Sequence, residues 1–319
     1  MSKKYAFGPV PSRRLKSSLG VNNIPFKYCT YSCIYCQLGL TRHKIITRRE
    51  FFPWRDVVAD VLKRIKEIGE DNIDYITFVP DGEPTLDVNL GREIDSLKEN
   101  TSIPIAVITN ASLLFNDDVR NDLMSADLVS AKIDAISQTI FKTINRPHHA
   151  LVHEEILDGI QIFSRDFRGK LITETMLVSN VNDNATEIEK IAKYIRLINP
   201  SKAYIAIPIR PPTESWVKPP TEERILEAYN IFQKYLGTRV ELLIGYEGEK
   251  FSIGKDPISD LLAIVSVHPM KLDYAYKLLQ KAGLDPCKVL EKLVKEDKIR
   301  IIKYKDSKFV LRKFKEATK

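Results

Sequence analysis

The 319-residue chain is predicted to be an α/β protein with a parallel sheet, either an open doubly wound sheet or a full or partial barrel, followed by a small winged helix-turn-helix-like domain. Three observations point there. Strand-like and helix-like stretches alternate six or seven times up to residue 245. The strand stretches are continuous apolar runs, as expected when both faces of a sheet are covered. The alternation then stops at a segment carrying Gly245, Gly248 and Gly254, and the pattern becomes helix, helix, helix, strand, strand.

Taken in order, residues 1–28 begin irregularly, with Pro9, Pro11, Arg13 and Arg14, before SLGVNNIPF reads as a short strand entering a cysteine loop. Helical apolar spacing over 55–68 precedes a strand at 74–79. Helix 87–99 precedes strand 104–109, helix 116–124 precedes strand 127–134, and helix 151–165 precedes strand 170–178. Helix 184–198 leads to strand 202–209, and helix 221–236 to strand 239–244. In such folds the active site lies at the C-terminal ends of the strands. The expected division is 1–250 for the α/β part and 251–319 for the terminal domain. In the latter, a third helix covers roughly 286–296, and a hairpin turns at Lys305-Asp306. Lys288, Lys292 and Lys295 share one face of that helix, while Leu290, Leu293 and Val294 are expected in its core.

Composition narrows the classes. No run of apolar residues is long enough for a transmembrane helix, and the start MSKKYAFGPVPSRR lacks the apolar region of a secretory signal, so a cytoplasmic protein with no membrane partner is expected. The net charge is +7. Residues 288–319 hold twelve Lys or Arg against five Asp or Glu, so this segment accounts for the whole excess. A basic tail on a neutral body fits a polyanionic partner such as a nucleic acid.

Four cysteines in a chain of this length do not make a disulfide framework. Three of them, Cys29, Cys33 and Cys36, fall within CTYSCIYC, and Cys287 is remote and expected to be a small buried apolar residue. Three thiolates at this spacing suit either zinc or an iron–sulfur cluster. Zinc would need a fourth ligand, for which His43 is the candidate. A [4Fe–4S] cube held by three thiolates keeps one iron open to a substrate or cofactor. His148, His149 and His153 form a second cluster, read as solvated histidines at a helix start.

The C-x3-C-x2-C loop, with aromatic Tyr35 before the third cysteine and its place after the first strand, resembles the cluster motif of the radical S-adenosylmethionine (radical SAM) enzymes. VPDGEPT (79–85) resembles the Gly-Gly-Glu segment of that family, with Asp81 in the first Gly position and Gly82, Glu83 and Pro84 matching. VITNAS (107–112) and SAKIDA (130–135) resemble the family's segments after the third and fourth strands. The opening GPVPSRRLKSSLGVNNIPFKYCTYSCIYCQLG resembles an Fe–S oxidoreductase subgroup loosely related to the tRNA wybutosine-forming enzyme. The resemblance covers residues 17–245 and implies a partial (β/α)6 barrel, a [4Fe–4S] cluster and S-adenosylmethionine (SAM) as cofactors, and an electron donor of flavodoxin or ferredoxin type.

It further implies that Cys29, Cys33 and Cys36 ligate three irons. SAM would occupy the fourth and be cleaved reductively to a radical that abstracts hydrogen from substrate. Glu83 would accept from the SAM ammonium, with Gly82 allowing close backbone approach and Pro84 following. Tyr35 would pack near the adenine and Lys132 neutralise the SAM carboxylate. Asn110, Ser130 and Asp134 would meet ribose or substrate. Glu174, on the same strand face as Met176, would face the barrel, and Arg210 would emerge at its mouth to take an anionic group. Three functions are open at this stage. They are a radical SAM enzyme acting on RNA, one acting on a peptide or small molecule with the terminal domain as a docking element, and a zinc protein that binds nucleic acid.

Overall fold

The computed structural model of the protein describes residues 4–245, 256–267, 269–304 and 306–313. The predicted segment 245–257, His268 and Lys305 of the predicted turn therefore lie largely or wholly outside the described residues. A hairpin of β1 (Ala6–Ser12) and β2 (Lys16–Val21) opens the chain. A two-residue ladder of β3 (Tyr28–Cys29) with β4 (His43–Lys44) then brackets the cysteine loop. There follow α1 (Trp54–Ile68), β5 (Tyr75–Phe78), α2 (Leu90–Asn100), β6 (Ile105–Thr109), α3 (Asp117–Leu123) and β7 (Leu128–Lys132). Next come α4 (Gln138–Ile144), α5 (His153–Asp166), β8 (Lys170–Met176), α6 (Ala185–Ile198), β9 (Lys202–Ala206), α7 (Glu222–Leu236) and β10 (Val240–Leu243).

The main sheet runs β1-β2-β5-β6-β7-β8-β9-β10, parallel throughout except for the antiparallel pair β1–β2. The strand order follows the chain order without reversal. Right-handed crossovers then place every helix on one face, which gives a curled partial barrel rather than a doubly wound sheet. The apolar strand runs resolve into two faces. Ile105, Val107, Val129, Ala203 and Ile205 meet the helices, whereas Ala106, Leu128, Ile172, Tyr204, Ala206 and Leu243 fill the interior. Leu15, from the turn between β1 and β2, joins that interior cluster, so the N-terminal turn enters the barrel and closes its base.

Besides the two-residue strands β3 and β4, β1 and α4 lie outside the sequence expectation. β1 falls where prolines make the chain look irregular, but β1 is an edge strand, where a missing N–H is tolerated. The short helix α4 has no clear apolar period.

The C-terminal elements are α8 (Pro257–Val267), β11 (Met270–Lys271), α9 (Leu272–Lys281), α10 (Pro286–Lys295), β12 (Ile299–Tyr304) and β13 (Ser307–Arg312), with sheet order β11-β13-β12. Their core includes Leu261, Ile264, Leu278, Leu290 and Val310, together with Phe7 and Val10 of β1. Asp260 of α8 accepts from Lys4 at 2.9 Å and from buried Arg64 of α1 at 3.1 Å. Two sequence expectations fail here. Val294 is 43% exposed, because Pro286, Leu290 and Leu293 form the buried stripe of α10, and Cys287 is exposed, 3.4 Å from the Tyr276 hydroxyl. Among the described residues no helix is long and apolar enough to cross a membrane.

Candidate active site

The strand ends and the cysteine loop enclose a cavity of about 310 Å³, at the lower end of the range for small-molecule sites. Its wall includes all three clustered cysteines, Tyr35, Gly82, Glu83, Asn110, Lys132, Glu174 and Arg210. Arg13 and Arg14 reach it from the turn inside the barrel. The loop is pinned from several sides: Ser32 and Ile34 donate their N–H groups to Asn145 and Ile144 at 3.0 Å, and Thr213 Oγ1 donates to the Cys36 carbonyl at 2.8 Å.

Each clustered sulfur receives a side-chain N–H donor. Asn110 Nδ2 lies 3.6 Å from Cys29 Sγ, Asn145 Nδ2 3.6 Å from Cys33 Sγ, and Lys27 Nζ 3.2 Å from Cys36 Sγ. Burial, then repulsion from Glu83 and Cys33, pushes the Cys29 thiol up to about 12. Burial, Asp134 and Cys36 push Cys33 up to about 11. Crowded thiols with these shifts are costly to ionise as they stand. A cationic metal centre that takes them as thiolates relieves that cost. The donor set, the shared cavity and the three waiting N–H groups fit an iron–sulfur cluster. Among the described residues no three His, Cys, Asp or Glu are gathered tightly enough for a single ion. His43, the zinc candidate, is exposed on β4 and stacks on Tyr28 at 4.2 Å. His153 is buried against Phe141 at 4.0 Å, apart from the neighbouring pair His148 and His149, because it opens α5 on its core face; the three are not a solvated cluster.

The loop after β5 is built around Gly82. A Cβ there would stand 1.8 Å from the Tyr28 carbonyl oxygen, and the Glu83 N–H donates to that same oxygen at 3.0 Å. The glycine thus admits the cysteine loop, where the sequence alone suggests a ligand. Glu83 is fully buried, and burial raises its pKa against four donors. Its Oε1 accepts from Thr85 N at 3.2 Å, Thr85 Oγ1 at 2.7 Å and Thr109 Oγ1 at 2.6 Å, while Oε2 accepts from Asn110 N at 2.8 Å. The residue also lines the cavity. Pro84 starts a single 3-10 turn that Glu83 caps, and it is buried away from the cavity.

Lys132 and Glu174 are register partners on β7 and β8, and Lys132 Nζ lies 2.8 Å from Glu174 Oε1. Arg14 pairs with the other oxygen of Glu174. Burial alone would raise the Glu174 carboxyl, but Arg14 and Lys132 outweigh it and hold the group down at about 2. Burial likewise opposes the Lys132 charge, yet Glu174 and Asp134 carry its pKa above the ordinary value. The Lys132 ammonium sits 4.8 Å from the centre of the Tyr35 ring. Asp134 lies outside the cavity lining: it accepts from the Tyr35 hydroxyl, from Asn145 Nδ2 at 2.8 Å and from Met176 N at 2.8 Å. These bonds tie it to the cysteine-loop tyrosine, to the end of α4 and to β8. Ser130 is buried one pleat below Lys132 and does not line the cavity either. Arg210 does emerge at the mouth, donating to Gln37 Oε1 at 3.2 Å.

Lys27, Asn145, Arg13 and Arg14 complete the site, and the sequence does not assign them to it. The basic pair stands out by charge, but nothing local tells whether it serves the base or the mouth. Asn145 and Lys27 are single polar residues in loops, with no spacing signal at all.

The radical SAM superfamily model matches residues 23–195. A UPF0026 protein of Methanocaldococcus jannaschii is 44% identical over 315 residues, covering 98% of each chain. A probable dual-specificity RNA methyltransferase RlmN of Thermotoga maritima is 26% identical over 210 residues, covering 62% of this chain and 57% of that protein. The crystal structure of a radical SAM methyltransferase from Sphaerobacter thermophilus shares the fold with a TM-score of 0.52 at 17% identity, covering 71% of this chain and 66% of that one. With this match over the cysteine loop and the strand ends that face it, the chain belongs to the radical SAM superfamily, whose enzymes use a [4Fe–4S] cluster and SAM and need a reductant.

Proposed function

We propose that Cys29, Cys33 and Cys36 hold the cluster and that the enzyme acts on an RNA substrate presented by the basic C-terminal elements. The observation that carries the reading is the shared cavity. Three cysteines, the Glu83 carboxylate and the cationic group of Arg13, Arg14, Lys132 and Arg210 all face one space. Bound there, the cluster and SAM supply the electron transfer that cleaves a C–S bond and starts hydrogen abstraction.

The chain's own residues bind and orient. Glu83 offers its carboxylate to the SAM ammonium. Tyr35, fixed by Asp134, forms an aromatic wall for the adenine. Lys132 and the two N-terminal arginines place positive charge opposite the carboxylate of SAM or an anionic substrate group. Asn110 is already committed to Thr30 and Cys29 and supports the loop. Glu174 sets the positions of Lys132 and Arg14. A flavodoxin or ferredoxin is the proposed donor, and the cytoplasm the proposed setting.

Residues 1–250 serve as the catalytic unit and 251–319 as a winged-helix-like substrate-binding unit. The order helix, strand, two helices and two strands supports that reading. The Tyr304 hydroxyl, at the end of β12, donates to the Pro208 carbonyl at 3.2 Å, and Pro208 lines the cavity. The basic hairpin therefore adjoins the mouth, and the exposed Lys288, Lys292 and Lys295 lie on α10. The sequence likeness to an RNA methyltransferase is consistent with RNA.

The test is binding of single-stranded RNA by the full chain at several salt concentrations. Affinity should fall steeply with salt. Replacing the three α10 lysines with glutamine should reduce the log–log slope by about 2, at roughly 0.7 for each phosphate left without its lysine. A flat salt dependence would remove RNA and favour a peptide or small-molecule substrate.

A further inference from the structure

Lys27 is 3% exposed and sits in a left-handed backbone conformation (φ 61°). Its backbone is held on both sides: its N–H donates to the Asp81 carbonyl at 2.9 Å, and its own carbonyl accepts from the His43 N–H at 3.0 Å. The side chain therefore has a fixed origin. Its ammonium donates to Cys36 Sγ at 3.2 Å, and among the described residues it forms no salt bridge. A nearby carboxylate is Asp81, whose charged form Lys27 favours; its Oδ2 accepts from Asn22 Nδ2 at 2.8 Å and its buried Oδ1 has no hydrogen-bond partner. Burying an ammonium against a neutral thiol is unfavourable, whereas against a thiolate it becomes a charge-assisted bond. The position is arranged for an anionic sulfur. The other two sulfurs receive neutral amide donors, at the longer distance of 3.6 Å.

We propose that Lys27 is a positioning residue that raises the reduction potential of the cluster by placing a fixed positive charge on Cys36, with Asp81 as its opposing charge. The inference rests on the reading that the three cysteines hold the cluster. Reduction adds one negative charge to the cluster, and a nearby cation favours the reduced state; hydrogen bonds to the sulfurs and local net charge set such potentials. Asn110 and Asn145 carry no charge and have a smaller effect. The consequence is chemical: the charge lets a weaker donor deliver the electron that SAM cleavage requires.

The experiment is a redox titration of the anaerobically reconstituted full-length protein, followed by electron paramagnetic resonance, alongside Lys27→Met, Lys27→Arg and Asp81→Asn. Lys27→Met should lower the one-electron reduction constant at least tenfold, a shift of about 59 mV to more negative potential. Lys27→Arg should recover most of it, and Asp81→Asn should move the potential the opposite way. Asp81→Asn keeps the oxygen that accepts from Asn22, so it reports even if Lys27→Met does not fold. Potentials of folded, iron-loaded Lys27→Met and Asp81→Asn that match the parent would overturn the proposal while leaving the cluster reading intact. A parent protein that shows no cluster signal would overturn both.

Discussion

Gly82→Ala is the substitution whose cost can be worked most directly. An added Cβ would stand 1.8 Å from the Tyr28 oxygen, 2.8 Å from the Tyr28 carbonyl carbon and 2.9 Å from Ile24 Cγ2, where real Cβ atoms keep beyond 3.0 Å. The obstacle is backbone, which cannot rotate aside. The Tyr28 carbonyl must retreat by about 1.2 Å, and its bond from the Glu83 N–H breaks. Overpacking of this kind costs about 1–3 kcal/mol, and the broken hydrogen bond about 1 kcal/mol more. At roughly 2–4 °C per kcal/mol for a large domain, the apo protein should melt about 4–16 °C lower. Because Tyr28 precedes Cys29 directly, iron incorporation should fall together with the melting temperature. Circular dichroism melts of the apo protein and iron and sulfide assays after reconstitution measure the two effects separately. Gly245→Ala, with no atom within 4 Å of the new Cβ, is the control. A Gly82→Ala protein with parental melting temperature and full iron loading would refute the packing argument.

Two further predictions concern stability. Burial raises the Asp87 carboxyl from 3.8 to about 7, and its Oδ2 has no hydrogen-bond partner. The folded state therefore keeps this proton to higher pH than the unfolded chain, so stability should decline from roughly pH 4 to pH 7 and then level off. Asp87→Asn should flatten that decline by about 2–4 kcal/mol, read from urea unfolding at a series of pH values; an unchanged slope would contradict the assignment. Asp260→Ala should destabilise by about 2–3 kcal/mol, since it leaves the buried Arg64 guanidinium with only the longer Glu67 pair at 3.4 Å. Its unfolding should also broaden as the C-terminal elements lose their polar tie to α1 and the N-terminus and keep only the packing on Phe7 and Val10, and an unchanged parental transition would count against that tie.

Much of the architecture is readable in the sequence because it repeats. Each βα unit carries its own apolar period, and the cysteine loop has a spacing that little else explains. What the sequence hides is long-range. Arg14 meets Glu174 across 160 positions, and Lys132 meets Glu174 through strand register; neither link has a local signature. Gly82 stands out in its motif, but its close neighbour is Tyr28, on β3. Asp134 follows a strand at the catalytic end, but its bonds to Tyr35, Asn145 and Met176 have no local signature either. Cys287 and Val294 show the opposite error: small or apolar residues near a helix face look like parts of a core that Leu290 and Leu293 already fill.

The central claim is that three cysteines in one loop hold a cluster that cleaves SAM. Its most direct test is anaerobic reconstitution with iron and sulfide, reduction with dithionite in the presence of SAM, and assay of 5′-deoxyadenosine, with Cys33→Ala alongside. The account predicts a brown parent protein that releases 5′-deoxyadenosine and a Cys33→Ala variant that folds but releases none. A colourless parent that binds zinc and leaves SAM intact, or a Cys33→Ala variant as active as the parent, would contradict it.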